Sequence, residues 1–342
     1  MSREPKTTEV IPATMRAIRQ QERGGTLAIG EVPVPLPGPG EVLVKMAASP
    51  VNPSDLANLA GDYLAGSWPF TPGLEGSGTI VASGGGILPL LRLGKRVACT
   101  PIPGEEGTWA GYMRTSVTRT IPLPGGTGME QGAMWVVNPM TALAFIHLCK
   151  RGGHAAMIHN AAGSALGNIL IRMAKRHRIP LISIVRRKEQ LETLAERGAE
   201  HVLDSGDPGF DRELGELSSK MKATLVLDAV TGKETGRLLA AAPPGSTLVV
   251  YARLSGDPIR ADPAELIRQG KQITGFQLGN WLDTKGMLFK LRFLEQLKRE
   301  LSNPDWVRIH RTYPMEQVEE AIRVYRDNMS GGKVILTMHH QP

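Results

Sequence analysis

Cysteine is nearly absent: Cys99 and Cys149 are the only two in 342 residues. Two thiols so far apart cannot build a disulfide framework or a zinc knuckle, and their scarcity fits a reducing cytoplasm. Aromatics are sparse, at 5% of the chain. No run of about 18 apolar residues is present to span a bilayer. The N-terminal stretch MSREPKTTEVIPATM has no apolar core, so it is not a secretory signal. It reads as a frayed leader ahead of the first strand. Acidic residues are outnumbered, 33 against 40 basic, for a formal charge of +7. That excess suits an anionic cofactor or thioester as well as nucleic acid. No basic block is interleaved with aromatics and no zinc-finger or helix-turn-helix pattern occurs. A dispersed basic surface is therefore expected, without a nucleic-acid site.

Turn formers are plentiful, with 39 Gly and 25 Pro. The length suggests two or three units of about 100–200 residues. From about Ala155 the pattern alternates strand with helix. Short apolar runs at AAMIH (155–159), LISIV (181–185), HVLD (201–204), TLVLDAV, STLVVYA and ITGF (273–276) give six strands. Leu166, Leu170, Met173, Ala174 and His177 share one helical face between the first two. Gly198 stops the next helix from the C′ position. Such alternation argues for a doubly wound parallel sheet, hence an α/β fold.

The first strand-to-helix turn carries the chemistry. A dinucleotide site needs a tight turn, bare backbone N–H groups for the pyrophosphate, and a small residue where helix meets strand. The usual spelling is G-x-G-x-x-G. Here it reads Ala162, Gly163, Ser164, Ala165, Leu166, Gly167, keeping only the last glycine. The plainer alternative is a helix start capped by Asn160 or Ser164. About 20 residues on, an NAD enzyme places an acid for the ribose hydroxyls. This chain has Arg186, Arg187 and Lys188 there, and a guanidinium can grip a 2′-phosphate with paired bonds. NADPH is the expected cofactor; the alternative is a solvated basic turn.

The flanks differ. EVLVKMAA alternates like a half-buried strand, prolines at 33, 35, 37 and 39 break any helix, and GSGTIVA and GKRVAC are short strands. After the α/β units comes an amphipathic helix with Met287, Leu291, Leu294 and Leu301 on its expected buried side. A second helix turns Val318, Ala321, Ile322 and Tyr325 inward. The terminal strand KVILTM is expected to rejoin the first domain, making the α/β domain an insertion. The boundaries read as 1–133 with 308–342, and 134–307.

The segments VNPSDL (51–56), PGLEGSG (72–78), GKRVA (94–98), VNPMTALAF (137–145), AAGSALG (161–167), LDAVTG (227–232) and GGKVILTM (331–338) together resemble the medium-chain dehydrogenase/reductase superfamily, along nearly the whole chain. The resemblance implies a β-rich GroES-like catalytic domain and a Rossmann cofactor domain. Zinc members carry a Cys near VNPSDL and a His-Glu pair where this chain has Leu74-Glu75. Asn52 and Leu74 cannot replace a thiolate and an imidazole, and Glu75 alone is read as holding backbone. The chain thus resembles the zinc-free branch, quinone oxidoreductases and trans-2-enoyl-thioester reductases, and no metal is expected. VNPSDLANLAGDY and VVYARLSGDPI with ITGFQLGNWL resemble the latter group.

Without a metal, the carbonyl of an activated alkene must be polarised by hydrogen bonds; hydride reaches the β-carbon and a donor near the α-carbon supplies the proton. The resemblance places Tyr63 as that donor and Asn52 in the polar floor, orienting Tyr63 or the substrate. It places Thr141 at the nicotinamide or its ribose, Tyr251 and backbone from Phe276 to Leu278 at the cofactor, and Lys333 near its phosphates. Plainer roles exist for each. Tyr63 would serve as a loop anchor, Asn52 as a turn residue and Thr141 as a helix-internal hydrogen bonder. Trp109, Trp135 and Trp281 are read as packing residues, and His159 and His177 have no catalytic part. The resemblance implies an enoyl thioester, enone or quinone as substrate. The contrasting readings are an NADPH:quinone or enone oxidoreductase for small electrophiles, and a silent NADPH-binding structural or RNA-binding protein. A homodimer is expected, with STLVVYA near the pairing edge.

Overall fold

The computed structural model describes residues 5–61, 68–302 and 306–338. The chain divides into two compact units, one of residues 1–137 with 307–342, the other of residues 138–306.

The first unit runs β1 (Lys6–Thr7), β2 (Thr14–Gln20), β3 (Leu27–Pro33), β4 (Glu41–Pro50), α1 (Pro53–Leu59), β5 (Gly76–Ser83), α2 (Ile87–Arg92), β6 (Arg96–Cys99), β7 (Tyr112–Ser116), β8 (Thr120–Pro122) and α3 (Met129–Gly132). The second runs α4 (Val137–Arg151), β9 (Met157–His159), α5 (Ala165–Arg176), β10 (Leu181–Val185), α6 (Glu189–Glu196), β11 (His201–Asp204), α7 (Phe210–Met221), β12 (Leu225–Asp228), α8 (Lys233–Ala241), β13 (Thr247–Val250), α9 (Pro263–Gln269), β14 (Gln272–Gly275), α10 (Leu278–Asp283) and α11 (Met287–Glu300). The chain then returns to the first unit with β15 (Ile309–Pro314), α12 (Val318–Asp327) and β16 (Lys333–Thr337).

The first unit is built on an eight-stranded sheet ordered β15-β16-β4-β5-β6-β8, with β1 on β5 and β7 on β4. β16 lies parallel to β15 and antiparallel to β4, so the terminal strand does rejoin the first unit. The leader is not frayed throughout, because Lys6 and Thr7 pair with Ser83 and Ala82. β4 departs from a half-buried alternation. Val42, Val44 and Met46 enter the main core while Leu43 packs with Val81, Ala82 and Tyr112 on the other side. A strand at the centre of its sheet is covered on both faces. α12 buries Val318, Ala321, Ile322 and Tyr325 as its periodicity predicts. Full burial of a large apolar side chain contributes roughly 1.5–3 kcal/mol, which fixes that helix against the sheet.

The second unit has a six-stranded sheet ordered β11-β10-β9-β12-β13-β14, parallel throughout. This is the doubly wound Rossmann order, and its order reverses between β9 and β12. STLVVYA holds β13, which lies beside the edge strand β14 and so near the sheet edge as expected. One expectation changes here. Around α11 Leu301 is buried as expected, but within the helix the buried residues are Phe293 and Leu297, whereas Met287 is 67% and Leu291 is 54% exposed. The helix carries apolar residues on two faces, and the aromatic one is turned inward.

Candidate functional site

In the first unit, α1 begins with Asn52 as its N-cap and Pro53 in its first turn, where a missing N–H costs nothing. The Asn52 N–H donates to Asp55 Oδ2 at 2.8 Å, and the Leu74 N–H donates to Asp55 Oδ1 at 3.0 Å. One carboxylate therefore ties the start of α1 to the segment before β5. Glu75 does the same for the next segment. Its Oε2 accepts the Val136 and Val137 N–H groups at 3.1 and 2.8 Å, and its Oε1 accepts Asn52 Nδ2 at 3.1 Å. Glu75 holds backbone, as its residue type and setting suggested. Lys333 at the start of β16 donates its ammonium to Asn52 Oδ1.

All four side chains are buried: Asn52, Asp55, Glu75 and Lys333 are each no more than 1% exposed. Burial raises the Asp55 carboxyl to about 7, against the opposing pull of the Asn52 N–H and the Lys333 charge. Burial also raises Glu75 and lowers Lys333, each partly offset by the other's charge. Two carboxyls and one ammonium share a dry interior, where a charge persists only if paired and hydrogen-bonded.

This network narrows two expectations. The Lys333 ammonium is enclosed, bonded to Asn52 and near the Glu75 and Asp55 charges, and reaching cofactor phosphates would require it to leave them. Asn52 has its amide oxygen on Lys333 and its amide nitrogen on Glu75. A direct contact with substrate would require one of those bonds to be given up. Tyr63 lies outside the described residues.

The same geometry tests zinc. Leu74 offers no donor atom, the Asn52 amide is taken at both ends, and Glu75 already accepts three N–H groups. Cys99 is buried, with its Sγ against Met46 and the Gly76 carbonyl. Among the described residues no cluster of three or more His, Cys, Asp or Glu could hold a metal. These residues do not fit a zinc ion.

In the second unit the cofactor turn joins β9 to α5. Gly167 is there for close approach: a Cβ would stand 2.4 Å from the Ala162 carbonyl oxygen. Ala162 is fully buried, and its N–H donates to the Ile184 carbonyl of β10 at 3.1 Å. Ser164 caps α5, its Oγ accepting the Gly167 N–H at 3.1 Å. A serine cap leaves the same residues able to form a dinucleotide turn. Gly163, Ala165 and Leu166 complete the turn. Asn168 Nδ2 donates to the Gly163 and Ser164 carbonyls at 3.1 and 2.8 Å, and Arg197 donates to Asn168 Oδ1. Arg186, Arg187 and Lys188 are exposed just beyond the carboxyl end of β10. A small-residue turn and a cationic rim beyond the next strand fit a phosphorylated dinucleotide.

Thr141 is buried in α4, 7% exposed. The Tyr251 ring stands 5.0 Å from Phe145, which is 5.1 Å from Phe276. Burial and the Asp228 charge push the Tyr251 phenol up. The Phe276 N–H is already bonded to the Val250 carbonyl at 2.8 Å. A carboxamide would have to meet other backbone groups of this stretch, down to Leu278 at the start of α10. Trp109 and Trp135 are packing residues, 0% and 2% exposed. His159 is enclosed, bonded to Ser183 Oγ at 2.9 Å, and burial lowers its pKa to about 3.

Sequence reasoning missed three polar residues of these sites, Asp55, Asn168 and Asp228, and read Asn160 only as an alternative helix cap. For Asn160 and Asp228 a signal existed, since each polar residue directly ends an apolar strand. Asp55 and Asn168 act on backbone several residues away, and residue type alone does not announce that.

Two family descriptions match the chain. Residues 38–125 match the alcohol dehydrogenase GroES-like domain and residues 165–292 the zinc-binding dehydrogenase family. The chain is 30% identical over 263 residues to the mitochondrial enoyl-[acyl-carrier-protein] reductase of Xenopus tropicalis, covering 75% of this chain and 74% of that protein. The Bos taurus reductase of the same name is 29% identical over 252 residues, 71% of this chain and 66% of its own length. Among solved structures, a protein assigned as an NADPH:quinone reductase from Mesorhizobium loti superposes with a TM-score of 0.87 at 31% identity, covering 96% of this chain and all of that one.

Proposed function

Because this chain belongs to the medium-chain dehydrogenase/reductase superfamily, in its zinc-free branch, we propose that it is an NADPH-dependent oxidoreductase that reduces an activated carbon–carbon double bond, of the enoyl-thioester kind. The observation that carries the reading is the Rossmann turn closed by Gly167 with Arg186 and Arg187 exposed beyond the next strand. The relatives named enoyl reductases and the NADPH:quinone reductase likeness support it. A quinone acceptor is the second reading, favoured by the close structural match.

The turn from Ala162 to Gly167 would receive the pyrophosphate, Arg186 and Arg187 the 2′-phosphate, and Thr141, Tyr251 and the stretch from Phe276 to Leu278 the nicotinamide half. The bound nicotinamide supplies the hydride. Tyr63 donates a proton to the α-carbon, and Asn52, held by Lys333 and Glu75, positions the polar floor without touching substrate. NADPH oxidation with crotonyl-CoA, an enone and a quinone in parallel tests the reading. Fastest turnover on the thioester, with Tyr63→Phe slowing it more than about threefold, supports it. A smaller effect, under about 0.7 kcal/mol of barrier, refutes the donor role. Turnover on quinone alone moves the assignment to the second reading. Tight NADPH binding without any turnover would point to a non-enzyme.

The protein is further proposed to work as a homodimer in a reducing compartment such as the cytoplasm. The edge strand β14 is open on one side, and Ile267, Leu288 and Leu291 around it in sequence are 80%, 62% and 54% exposed. Open edges and apolar patches are costly unless covered. Sedimentation of wild type and of Leu288→Lys with Leu291→Lys tests this: a dimer for the first and a monomer for the second. Both cysteines are buried as free thiols, and no described helix is long and apolar enough to cross a membrane.

A further inference from the structure

In a doubly wound sheet the ligand crevice opens at the carboxyl ends of the two strands between which the order reverses. In this chain those strands are β9, which ends at His159, and β12, which ends at Asp228. A side-chain bridge closes the base of that gap. Asn160 Nδ2 donates to Asp228 Oδ1 at 2.6 Å, and the Ala229 N–H donates to Asn160 Oδ1 at 2.7 Å. The Asp228 carboxylate also accepts the Val230 and Thr231 N–H groups at 2.8 and 3.0 Å and the Thr235 hydroxyl at 2.6 Å. Asn160 is 3% and Asp228 0% exposed, so these bonds form without competition from water and are strong for it.

The backbone beside each strand end is strained. Ala161 has φ +50° and Thr231 φ +67°. Left-handed backbone is uncommon for any non-glycine residue and an outlier for a β-branched one. Such conformations persist where the surroundings over-determine them, and they gather at ligand clamps. The two strained residues flank the same crevice, and each is tied to the Asn160–Asp228 pair, one as its chain neighbour and one by a direct bond.

We infer that Asn160 and Asp228 are positioning residues for the cofactor: their bridge holds the two strained turns at the crevice in the conformation that receives the dinucleotide. Neither side chain touches the cofactor in this role. The inference rests on the NADPH reading of the turn, and its test separates the two.

The test compares Asn160→Ala, Asp228→Asn and Ser183→Ala with wild type. Asp228→Asn keeps an acceptor for Asn160, Val230 and Thr231. Ser183→Ala removes the buried bond to His159 in the same sheet without touching either turn. Three quantities are read: NADPH affinity by calorimetry, kcat at saturating NADPH, and amide exchange at residues 161–164 and 229–232 in the cofactor-free protein. Asn160→Ala is expected to weaken NADPH about tenfold or more, the scale of a lost buried hydrogen-bond pair, with kcat changed less than about twofold. Its turn amides exchange faster, while Asp228→Asn and Ser183→Ala stay near wild type in affinity. Adding Ala161→Gly to Asn160→Ala restores at least about threefold of the affinity, because glycine pays little for the left-handed turn. Unchanged affinity and exchange in folded Asn160→Ala overturn the inference, as does equal weakening by Ser183→Ala. Should Asn160→Ala not fold, a loss of affinity in Asp228→Asn as large as in Asp228→Ala overturns it. Should wild type not bind NADPH, the cofactor reading fails, and the exchange comparison alone still decides whether the bridge holds the turns.

Discussion

Replacing Lys333 with Met removes the only cation of the buried network while keeping most of the side-chain volume. Lys333 is 1% exposed, so neither water nor salt screens its effect on Glu75 and Asp55. Removing one partner of a buried ionic cluster costs about 3–5 kcal/mol, because the remaining charges stay behind unpaired. The loss must depend on pH. Asp55 sits at about 7 instead of 3.8, so its contribution to stability is complete below about pH 4 and is lost as pH rises through 7. A carboxyl so displaced amounts to about 4 kcal/mol across that window. Lys333 opposes the displacement of both Asp55 and Glu75. Without it both rise further, and the variant loses more stability with increasing pH than wild type does. Thermal unfolding followed by the buried Trp109 and Trp135 reads this directly. A deficit on the order of 10 °C is expected at pH 8, shrinking toward pH 5. Adding Glu75→Gln to Lys333→Met should recover part of it, a coupling of about 1–3 kcal/mol. A deficit below about 1 kcal/mol, or one equal at both pH values, refutes the reasoning.

Gly167→Ala puts a Cβ 2.4 Å from the Ala162 carbonyl oxygen, where only backbone can yield. It should cost about 1–3 kcal/mol of stability and weaken NADPH binding; an unchanged melting temperature counts against the close-approach role. Arg186→Ala with Arg187→Ala should weaken NADPH about a hundredfold or more, from two charge-assisted bonds of about 1.5–3 kcal/mol each, and leave NADH within about twofold. Equal loss for both nucleotides in a titration refutes the 2′-phosphate assignment. His159 is held at about 3, so its contribution is present above pH 6.5 and lost as pH falls toward 3. His159→Leu should flatten the acid limb of the stability curve over that range, and an unaltered limb would show that another group titrates there.

The α/β unit was legible because each strand is a short apolar run bounded by turn residues, from Met157–His159 to Gln272–Gly275. The turn from β9 to α5 was legible through Gly167, whose small size the packing demands. The first unit's interior was not. Lys333 and Asn52 are 281 residues apart in the chain, and no local pattern announces a pair at that distance. β16 delivers Lys333 only after the chain has left the first unit and returned. α11 was misjudged because Met287 and Leu291 form as good a stripe as Phe293 and Leu297. Periodicity finds an apolar face but does not say whether core or another molecule covers it. The run at Thr247–Val250 signals a strand and says nothing of its neighbours, so the pairing alone shows that β14, beside it, is the edge.

The central claim is that this enzyme reduces its substrate with NADPH through hydrogen-bonding side chains, on a floor held by Lys333, Asn52 and Glu75 in place of zinc ligands. The most direct test is the initial rate of NADPH oxidation with crotonyl-CoA, before and after exhaustive dialysis against a strong chelator. The account predicts one NADPH consumed per thioester reduced and an unchanged rate after dialysis. Loss of the rate on dialysis, restored by adding zinc, would contradict it.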